Sequence, residues 1–580
     1  MSEWIAGIAL GHNAGVCLLK DGEIIFSVEE ERLSKFKHDG GPLLSMMKIL
    51  DYTDKLDYLV VAHLIANPQD IKEHTVLEYT REPLYQGFAR RLGLIEQPKD
   101  GQVDMQSPQV INMVDNHHQC HSAIAFYNSG FQTAVSVIVD SNGSSNLLTD
   151  DGVIYYETES IFDCSYTKGI KTLYKKVHCT KGKSYLLLKN YNPDLNETFD
   201  LEADEGPGIG KVWDAVTNYC GFHVNECGKT MGLSAYGAPN PNLPDLFQND
   251  TANKDLIKAF YPYKAELNTN KYNILDVLES ADQDMAFKVQ EETQEQVLKL
   301  IIKASEMSNN KNVVLSGGYA LNCVSNYYYL DKLKEHDINL YVEPNSSDAG
   351  TATGAALLYH YRKGDINKRE RIESLYLGPE QEYTGYDVFQ IIDSYNGQVN
   401  DASYKEIAEL IKEGNIVAIF QGRSENGPRA LGNRSILFNP TIKNGKDIVN
   451  KVKKREWFRP FAASVMKEYA HDWFDMKGLK ESPHMMYAVD VKEDKKNLIP
   501  AVLHVDDTCR IQTVNKNVNE HYYNLIEEFY KLTGIPLLFN TSLNLAGDPL
   551  AETLDDVMKI LIDSEMEYCY MPEHATLIKL

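Results

Sequence analysis

The opening of the chain reads as a strand, a turn and a strand: an apolar run, IAGIALGHNAGVCLL, then Asp21-Gly22, then EIIFSVEEER, with the Asp-Gly pair supplying the turn chemistry of a tight hairpin. A second hairpin is predicted in VSVIVDSNGSSNLLTDDGVIYY, where Asp140 ends a β-branched run and Asn142-Gly143 follows. Helical periodicity covers Glu291 to Ser308 and leads into a short strand, NVVLSGGYALN, whose Gly317-Gly318 pair precedes a further helix. EPNSSDAGTATGAALLYH starts another helix after an Asp and small residues. The charged stretch of residues 361 to 375 reads as a linker, and beyond it strand and helix patterns alternate to the end, as in a separate α/β domain. The expected division is therefore 1–370 and 371–580.

A chain of 580 residues exceeds the size at which one core keeps growing, which supports that division. Paired hairpins with polar tips are the arrangement of the actin-like and sugar-kinase-like two-lobed fold, an analogy that speaks to architecture first. Glycine-containing helix starts suit backbone amides pointing into a cleft. Absence of a long apolar run and of a basic-then-apolar leader makes a cytoplasmic location, with no membrane partner, the expectation. The nine cysteines are scattered singly, which fits reduced thiols better than a disulfide or zinc framework.

The net charge of −25 argues against nonspecific binding to duplex DNA or anionic membranes by the surface as a whole. Within that acidic chain the arginines are unevenly placed. Six of the 13 (Arg423, Arg429, Arg434, Arg455, Arg459 and Arg510) fall in one stretch, while none lies between Arg91 and Arg362. Planar, bidentate donors gathered in one region point to recognition of phosphate or carboxylate oxygens, with surface ion pairing as the alternative. Residues 164 to 190 hold seven lysines, three tyrosines and no acid. Basic side chains interleaved with aromatics can hold phosphates and stack bases; a solvated hairpin balanced by the acidic run from Asp194 to Glu205 is the other reading. His117 and His121 sit four residues apart in a predicted helix, so both imidazoles can meet one metal, with Asp140 or Asp348 completing the site. Packing or hydrogen-bonding histidines would share that spacing.

Nine segments taken in order carry a more specific signal: EEERLSKFKHDGG, DNHHQCHSA, ECGKTMGLSAYG, SGGYALNCVSN, NSSDAGTATGAA, GRSENGPRALGNRSIL, REWFRPFAASV, HVDDTCRIQTV and LLFNTSLNLAGDPLAET. In order and spacing they resemble the O-carbamoyltransferase family of nodulation, cephalosporin and aminoglycoside pathways. The resemblance implies an α/β architecture: an N-terminal actin-like, threonylcarbamoyl-transferase-like domain carrying a metal site, and a C-terminal YrdC-like α/β domain. It implies formation of carbamoyl adenylate from carbamoyl phosphate and Mg-ATP with release of pyrophosphate, then transfer to an alcohol with release of AMP. The implied metal ligands are His117, His121, Asp140 and Asp348, with iron(II) the metal most associated with the fold and manganese or zinc also compatible. His12 is the implied general base, and Lys37 the implied stabiliser of oxyanion or phosphate charge. Arg429, Arg434, Arg459 and Arg510, assisted by Lys454 and Arg455, would bind the phosphates, with Ser542 and Asn544 on the rim. Gly317, Gly318 and Asn322 would face the adenylate in the N-terminal domain. A homodimer is mildly favoured on the same ground.

Two departures from the family pattern stand out. HVDD replaces the usual His-Val-Asp-Gly at Asp507, and GHNAG places Asn13 where an Asp is more common. The second makes the acceptor less transferable than the activation chemistry. From the lysine-rich stretch, with Lys168, Lys171, Lys175 and Lys176 as candidate contacts, the expected acceptor is a hydroxymethylpyrimidine (5-hydroxymethylcytosine) nucleotide or DNA. A sugar, antibiotic or other small-molecule hydroxyl is the alternative. Threonylcarbamoylation of tRNA and a non-catalytic actin-like assembly protein are readings of other classes.

Overall fold

The computed structural model describes residues 2–63, 84–96, 107–144, 147–148, 154–179, 191–192, 197–204, 206–248, 250–260 and 282–580. The chain divides into two compact units, residues 1–24 with 40–372 and residues 25–39 with 373–580. The main break falls two residues from the expected one, but residues 25–39, expected in the N-terminal domain, group with the second unit. Arg32 accounts for this grouping. Its buried guanidinium donates to the carbonyls of Glu425 (2.9 Å) and Gly427 (2.7 Å).

The first apolar run is two strands rather than one. Trp4–Ala9 pairs antiparallel with Gly15–Lys20, and Gly11, at φ 114°, lies in the turn that carries His12. Asp21 (φ 52°) and Gly22 (φ 86°) then form the expected tight turn into Glu23–Glu29. Tyr58–His63 and Val110–Asn112 extend the sheet in parallel on the other side of Trp4–Ala9. Numbered by appearance, the strand order is 3-2-1-4-5. The second sheet repeats it. Thr133–Val139, Ile154–Ser165 and Gly169–Cys179 form its antiparallel half, and Asn312–Ser316 and Asn339–Val342 its parallel half, with Asp200–Asp204 added beyond Gly169–Cys179.

Each fifth strand feeds a helix: His117–Asn128 in the first half and Thr351–Arg362 in the second. The helices are exchanged, the first packing on the second sheet and the second on the first. They also pack against each other, so closely that a Cβ on Gly354 would lie 2.0 Å from the Cys120 carbonyl oxygen. Every residue of His117–Asn128 is buried. Small residues in TATGAA allow this approach, and the two helix starts are thereby brought together at one end of the pair.

The second unit is built on a ten-stranded mixed sheet. Its centre is buried except at Ser542, Thr508 and Arg510, with Val417–Phe420, Arg434–Phe438, Leu537–Ser542, Ala462–Met466 and Thr508–Val514 lying side by side in that order. Capping boxes at Thr384, Ser403 and Thr553 start three of its helices. The eight cysteines whose side chains are described form no disulfide with one another, and seven of them are buried. Among the described residues no helix is long and apolar enough to cross a membrane.

Candidate metal centre and anion site

The exchanged helices place four ligand atoms together. His117 begins its helix and His121 lies one turn further along the same face, Asp140 follows the end of Thr133–Val139, and Asp348 opens the short turn before Thr351–Arg362. The imidazole Nε2 atoms are 3.2 Å apart. Asp140 Oδ2 is 3.3 Å from His117 and 3.4 Å from His121; Asp348 Oδ1 is 3.4 Å from His117 and 3.3 Å from His121. All four ligand atoms lie within 4.8 Å of one another. Five of the six donor–donor spacings are 3.2–3.4 Å, close to the edge of about 3.3 Å expected around a tetrahedral divalent ion with bonds of about 2.0 Å. Two buried carboxylates facing two imidazoles need two positive charges, which one divalent ion supplies. The donor set thus fits the expected metal.

The loop after Thr133–Val139 fixes both sides of this centre. Asp140 Oδ1 accepts from the Ser141 amide (2.8 Å) and the Gly318 amide (3.4 Å), leaving Oδ2 for the histidines. Four residues on, Ser144 Oγ accepts from the His117 amide (3.2 Å) and donates to the Val114 carbonyl (2.8 Å), pinning the helix start. Gly317, at φ 89°, packs so tightly that a Cβ would lie 2.3 Å from the Val139 oxygen. His12 Nε2 is 3.8 Å from Asp348 Oδ2 and its side chain is half exposed, so it stands at the rim of the centre. Asn322 is used by the fold: its Oδ1 accepts from the Ser325 amide to cap Cys323–Lys334, and its amide donates to Gln290.

Burial disfavours a charged His117, but Asp348 and Asp140 outweigh it and raise its pKa to about 10, while both carboxylates are held well below their usual range. In metal-free protein, therefore, the stabilisation from His117 is complete below its ordinary pKa of 6.5 and is lost as pH rises toward about 10. Thermal melts of metal-free protein should fall across that window, while metal-loaded protein should not. Uptake of the ion at neutral pH should release protons measurable in weakly buffered solution.

The lysine-rich segment is not a free basic face. Lys175 pairs with the buried Glu157, and Lys176 lies 3.7 Å from both Glu202 and Asp204. Lys168 and Lys171 are close enough to act on Asp163. Residues 180–190 lie outside the described residues. The pairing follows from the sheet, since antiparallel pairing of Ile154–Ser165 with Gly169–Cys179 and parallel pairing of the latter with Asp200–Asp204 set acids against lysines across the ladder. Burial pushes the Glu157 carboxyl up, but Lys175 and neighbouring groups overcome this and hold it at about 2. Its stabilisation is therefore present above 4.5 and is lost as pH falls toward 2. Lys175→Met should destabilise the first unit by about 3–5 kcal/mol by leaving a buried carboxylate unpaired, read as a lowered melting temperature at neutral pH that narrows toward wild type on acidification. His118, its pKa pushed down to about 4 by burial, contacts Ser160 at 2.8 Å and does not face the metal ligands' site.

Lys37 belongs to the second unit and pairs with Glu31 at 2.6 Å. In that unit the arginine-rich motifs separate by role. Arg434 is fully buried, and its guanidinium donates to the carbonyls of Gln421, Asn433, Gly422 and Glu552 while lying 4.0 Å over the Phe420 ring. It is a fold residue, contrary to the phosphate-binding expectation. Lys454 is exposed in a left-handed conformation, φ 54°. Its neighbour Lys453, which sequence reasoning passed over, is 2 % exposed and donates to the carbonyls of Ser542 and Asn544 (2.7 Å) and to Asn544 Oδ1 (3.1 Å). Ser542 and Asn544 thus hold the lysine that faces the arginines. Arg455 stacks 4.8 Å over Phe461 and reaches Thr541 Oγ1 at 3.4 Å.

Lys453 and Arg455 are both pushed well below their usual pKa, by burial first and then by neighbouring cations: Arg455 and Arg459 for the lysine, Arg459 and Arg510 for the arginine. Against four converging cations, Glu456 at 3.5 Å from Arg459 offers one carboxylate. Chemically, such a group can receive a multiply charged anion. Arg429 is half-buried in a loop whose Ala430 and Leu431 carbonyls accept from Asn540 and Gln512, on the strands that carry Ser542 and Arg510. Glu425 holds that loop through the amides of Leu431, Asn433 and Arg434. The departure at Asp507 is also explained. Its φ of 65° is a conformation glycine favours, and its carboxylate is anchored by Lys496 at 2.9 Å.

Residues 102–357 match the family model described as the carbamoyltransferase N-terminus, and residues 408–577 the one described as the carbamoyltransferase C-terminus. Nodulation protein NolNO of Sinorhizobium fredii is 30 % identical over 96 % of this chain and 77 % of its own length. An uncharacterized protein of Synechocystis is 30 % identical over 97 % of this chain and 95 % of its own, and nodulation protein U of Rhizobium tropici is 25 % identical over 94 % and 91 %. Among solved structures, full-length HypF in a phosphate- and nucleotide-bound form aligns with 63 % of this chain and 47 % of its own at 14 % identity and a TM-score of 0.35, too weak a likeness to transfer an architecture. With both halves of the family matched in order and relatives aligned over nearly the whole chain, this protein belongs to the carbamoyltransferase family and is a carbamoyl-transferring enzyme.

Proposed function

We propose that the enzyme is an ATP-dependent O-carbamoyltransferase whose second unit activates the carbamoyl group and whose first unit delivers it to a hydroxyl. The observation that carries this reading is the segregation of two chemistries: a group of arginines facing the buried Lys453 in one unit, and an imidazole–carboxylate centre in the other. The first unit is read as actin-like, which its repeated 3-2-1-4-5 strand order supports, and the second as YrdC-like.

Lys453, Arg455, Arg459 and Arg510 bind the phosphates of carbamoyl phosphate and Mg-ATP. Carbamoyl phosphate gives up its phosphate to water, and the carbamate oxygen attacks the α-phosphorus of ATP, so that pyrophosphate leaves and carbamoyl adenylate forms. In the first unit, Gly317 and Gly318 offer backbone approach to the adenylate, and His12 takes the proton of the acceptor hydroxyl as its oxygen bonds to the carbamoyl carbon. The bond to AMP breaks and AMP departs. A divalent ion, iron(II) by family resemblance and manganese or zinc by donor set, would be held by His117, His121, Asp140 and Asp348 and would supply Lewis-acid polarisation of the carbamoyl oxygen.

Pairing of Lys175 and Lys176 within the fold favours a sugar or other small-molecule hydroxyl as acceptor over the hydroxymethylcytosine nucleotide or DNA reading. The test is mass spectrometry after incubation with ATP, carbamoyl phosphate, iron(II) and a panel of glycosides, hydroxymethylcytosine nucleotides and hydroxymethylated DNA. One added carbamoyl group on a glycoside supports the preferred acceptor, and the same gain on a nucleotide or DNA reverses the preference. Threonylcarbamoylation would instead require threonine, bicarbonate and tRNA.

A further inference from the structure

The segment between two of the cluster's arginines, Arg455 and Arg459, is a tight turn. The Arg459 amide donates to the Glu456 carbonyl at 3.2 Å, and the Arg455 amide to the Asn450 carbonyl at 2.9 Å. Asn450 is buried and its side-chain amide reaches back to the Trp457 carbonyl (3.5 Å) and the Arg459 carbonyl (3.3 Å). The turn buries Phe458 and presents Trp457, whose side chain is 58 % exposed and meets the Phe458 ring edge-on at 5.8 Å.

The cations differ in access. Lys453 is 2 % exposed, whereas Arg455, Arg459 and Arg510 are all partly exposed, the Arg459 side chain by 27 %, so the group opens to solvent on its arginine side, where Arg455 and Arg459 flank Trp457 in the turn. A ligand drawn in by its phosphates has its uncharged end left at that opening. We propose that Trp457 is the stacking platform for the heterocyclic base of the nucleotide whose phosphates the Lys453, Arg455, Arg459 and Arg510 group binds. This rests on the reading of that group as the ATP site. Stacking on indole adds affinity with little preference among bases, so Trp457 separates nucleotides from carbamoyl phosphate and inorganic polyphosphates rather than ATP from other nucleotides.

Fluorescence of the full chain tests this, because Trp213 and Trp473 are buried and Trp4 is half-buried. ATP should quench the emission, and inorganic tripolyphosphate should compete with ATP while leaving the emission unchanged. Trp457→Ala should remove the quench and weaken ATP binding about tenfold, an effect of the size expected for one base stacked on an aromatic ring. The same variant should bind tripolyphosphate as wild type does, and Trp457→Phe should recover most of the ATP affinity. Unchanged ATP affinity in Trp457→Ala, or equal weakening of ATP and tripolyphosphate, would overturn the proposal. Arg455→Ala distinguishes the underlying reading: if binding of neither ligand responds to it, the cluster is not the phosphate site and the stacking proposal falls with it.

Discussion

Asp348→Asn should bind its divalent ion more than about 100-fold more weakly than wild type and lose carbamoyl transfer, while still releasing pyrophosphate from ATP. The substitution keeps the shape of the side chain and removes one of the two negative charges that balance a dication beside His117 and His121. Loss of an outer-sphere partner alone costs 10–100-fold in affinity, so loss of a charged ligand exceeds it. Metal content after dialysis and product analysis with an acceptor present measure the two effects separately. The fold should survive, because Asp348 is buried chiefly against the other ligands, and without an ion its carboxylate is a charge that the two histidines must neutralise.

The second large effect contrasts two arginines of the second unit. Arg434→Ala should destabilise that unit by about 3–5 kcal/mol, from the lost side-chain volume and the buried carbonyls left without a donor. Arg434→Lys should recover little, because an ammonium cannot reproduce a planar fork spread over four carbonyls. Arg455→Ala should behave in the opposite way. Its guanidinium is buried among other cations, so removing it relieves repulsion and should leave the melting temperature unchanged or raised, while pyrophosphate formation falls about 10–100-fold from the lost charge-assisted contacts. Thermal melts of the pair, set beside pyrophosphate assays on the folded variants, check the assignment.

These two arginines also show how far the sequence could be read. Clustering of arginine announced oxyanion recognition, but the fork that grips phosphate grips backbone carbonyls equally well, and nothing in GNRS distinguishes the two. Lys453 was hidden because lysine is the common cation of this chain and its neighbour Lys454 has the same identity; only the left-handed backbone at Lys454 shows which of the two turns inward. The metal ligands were more legible. The spacing of His117 and His121 puts them on one helical face, and the family motifs supplied Asp140 and Asp348. How the ligands meet was not legible, since it depends on exchange of two helices, one buried throughout and the other everywhere but at Tyr359 and Arg362, which carry no amphipathic stripe to reveal the sheet they cover. The lysine-rich segment misled for a related reason. Composition shows seven lysines, but the cross-strand register that gives Lys175 to Glu157 includes irregularities between Glu157 and Glu159 and between Ile161 and Phe162, invisible to periodicity. Residues 25–39 begin inside the hairpin's second strand, Glu23–Glu29, and the long-range bonds of Arg32, rather than any local pattern, tie them to the second unit.

Division of the chemistry between the two units is tested most directly by a single-turnover experiment with ATP, carbamoyl phosphate and an accepting alcohol, comparing wild type, Asp348→Asn and Arg455→Ala. Wild type should yield pyrophosphate and carbamoylated alcohol, Asp348→Asn pyrophosphate without carbamoylated alcohol, and Arg455→Ala greatly reduced amounts of both. Folded Asp348→Asn protein that forms no pyrophosphate, or that carbamoylates the alcohol at the wild-type rate, would contradict the account.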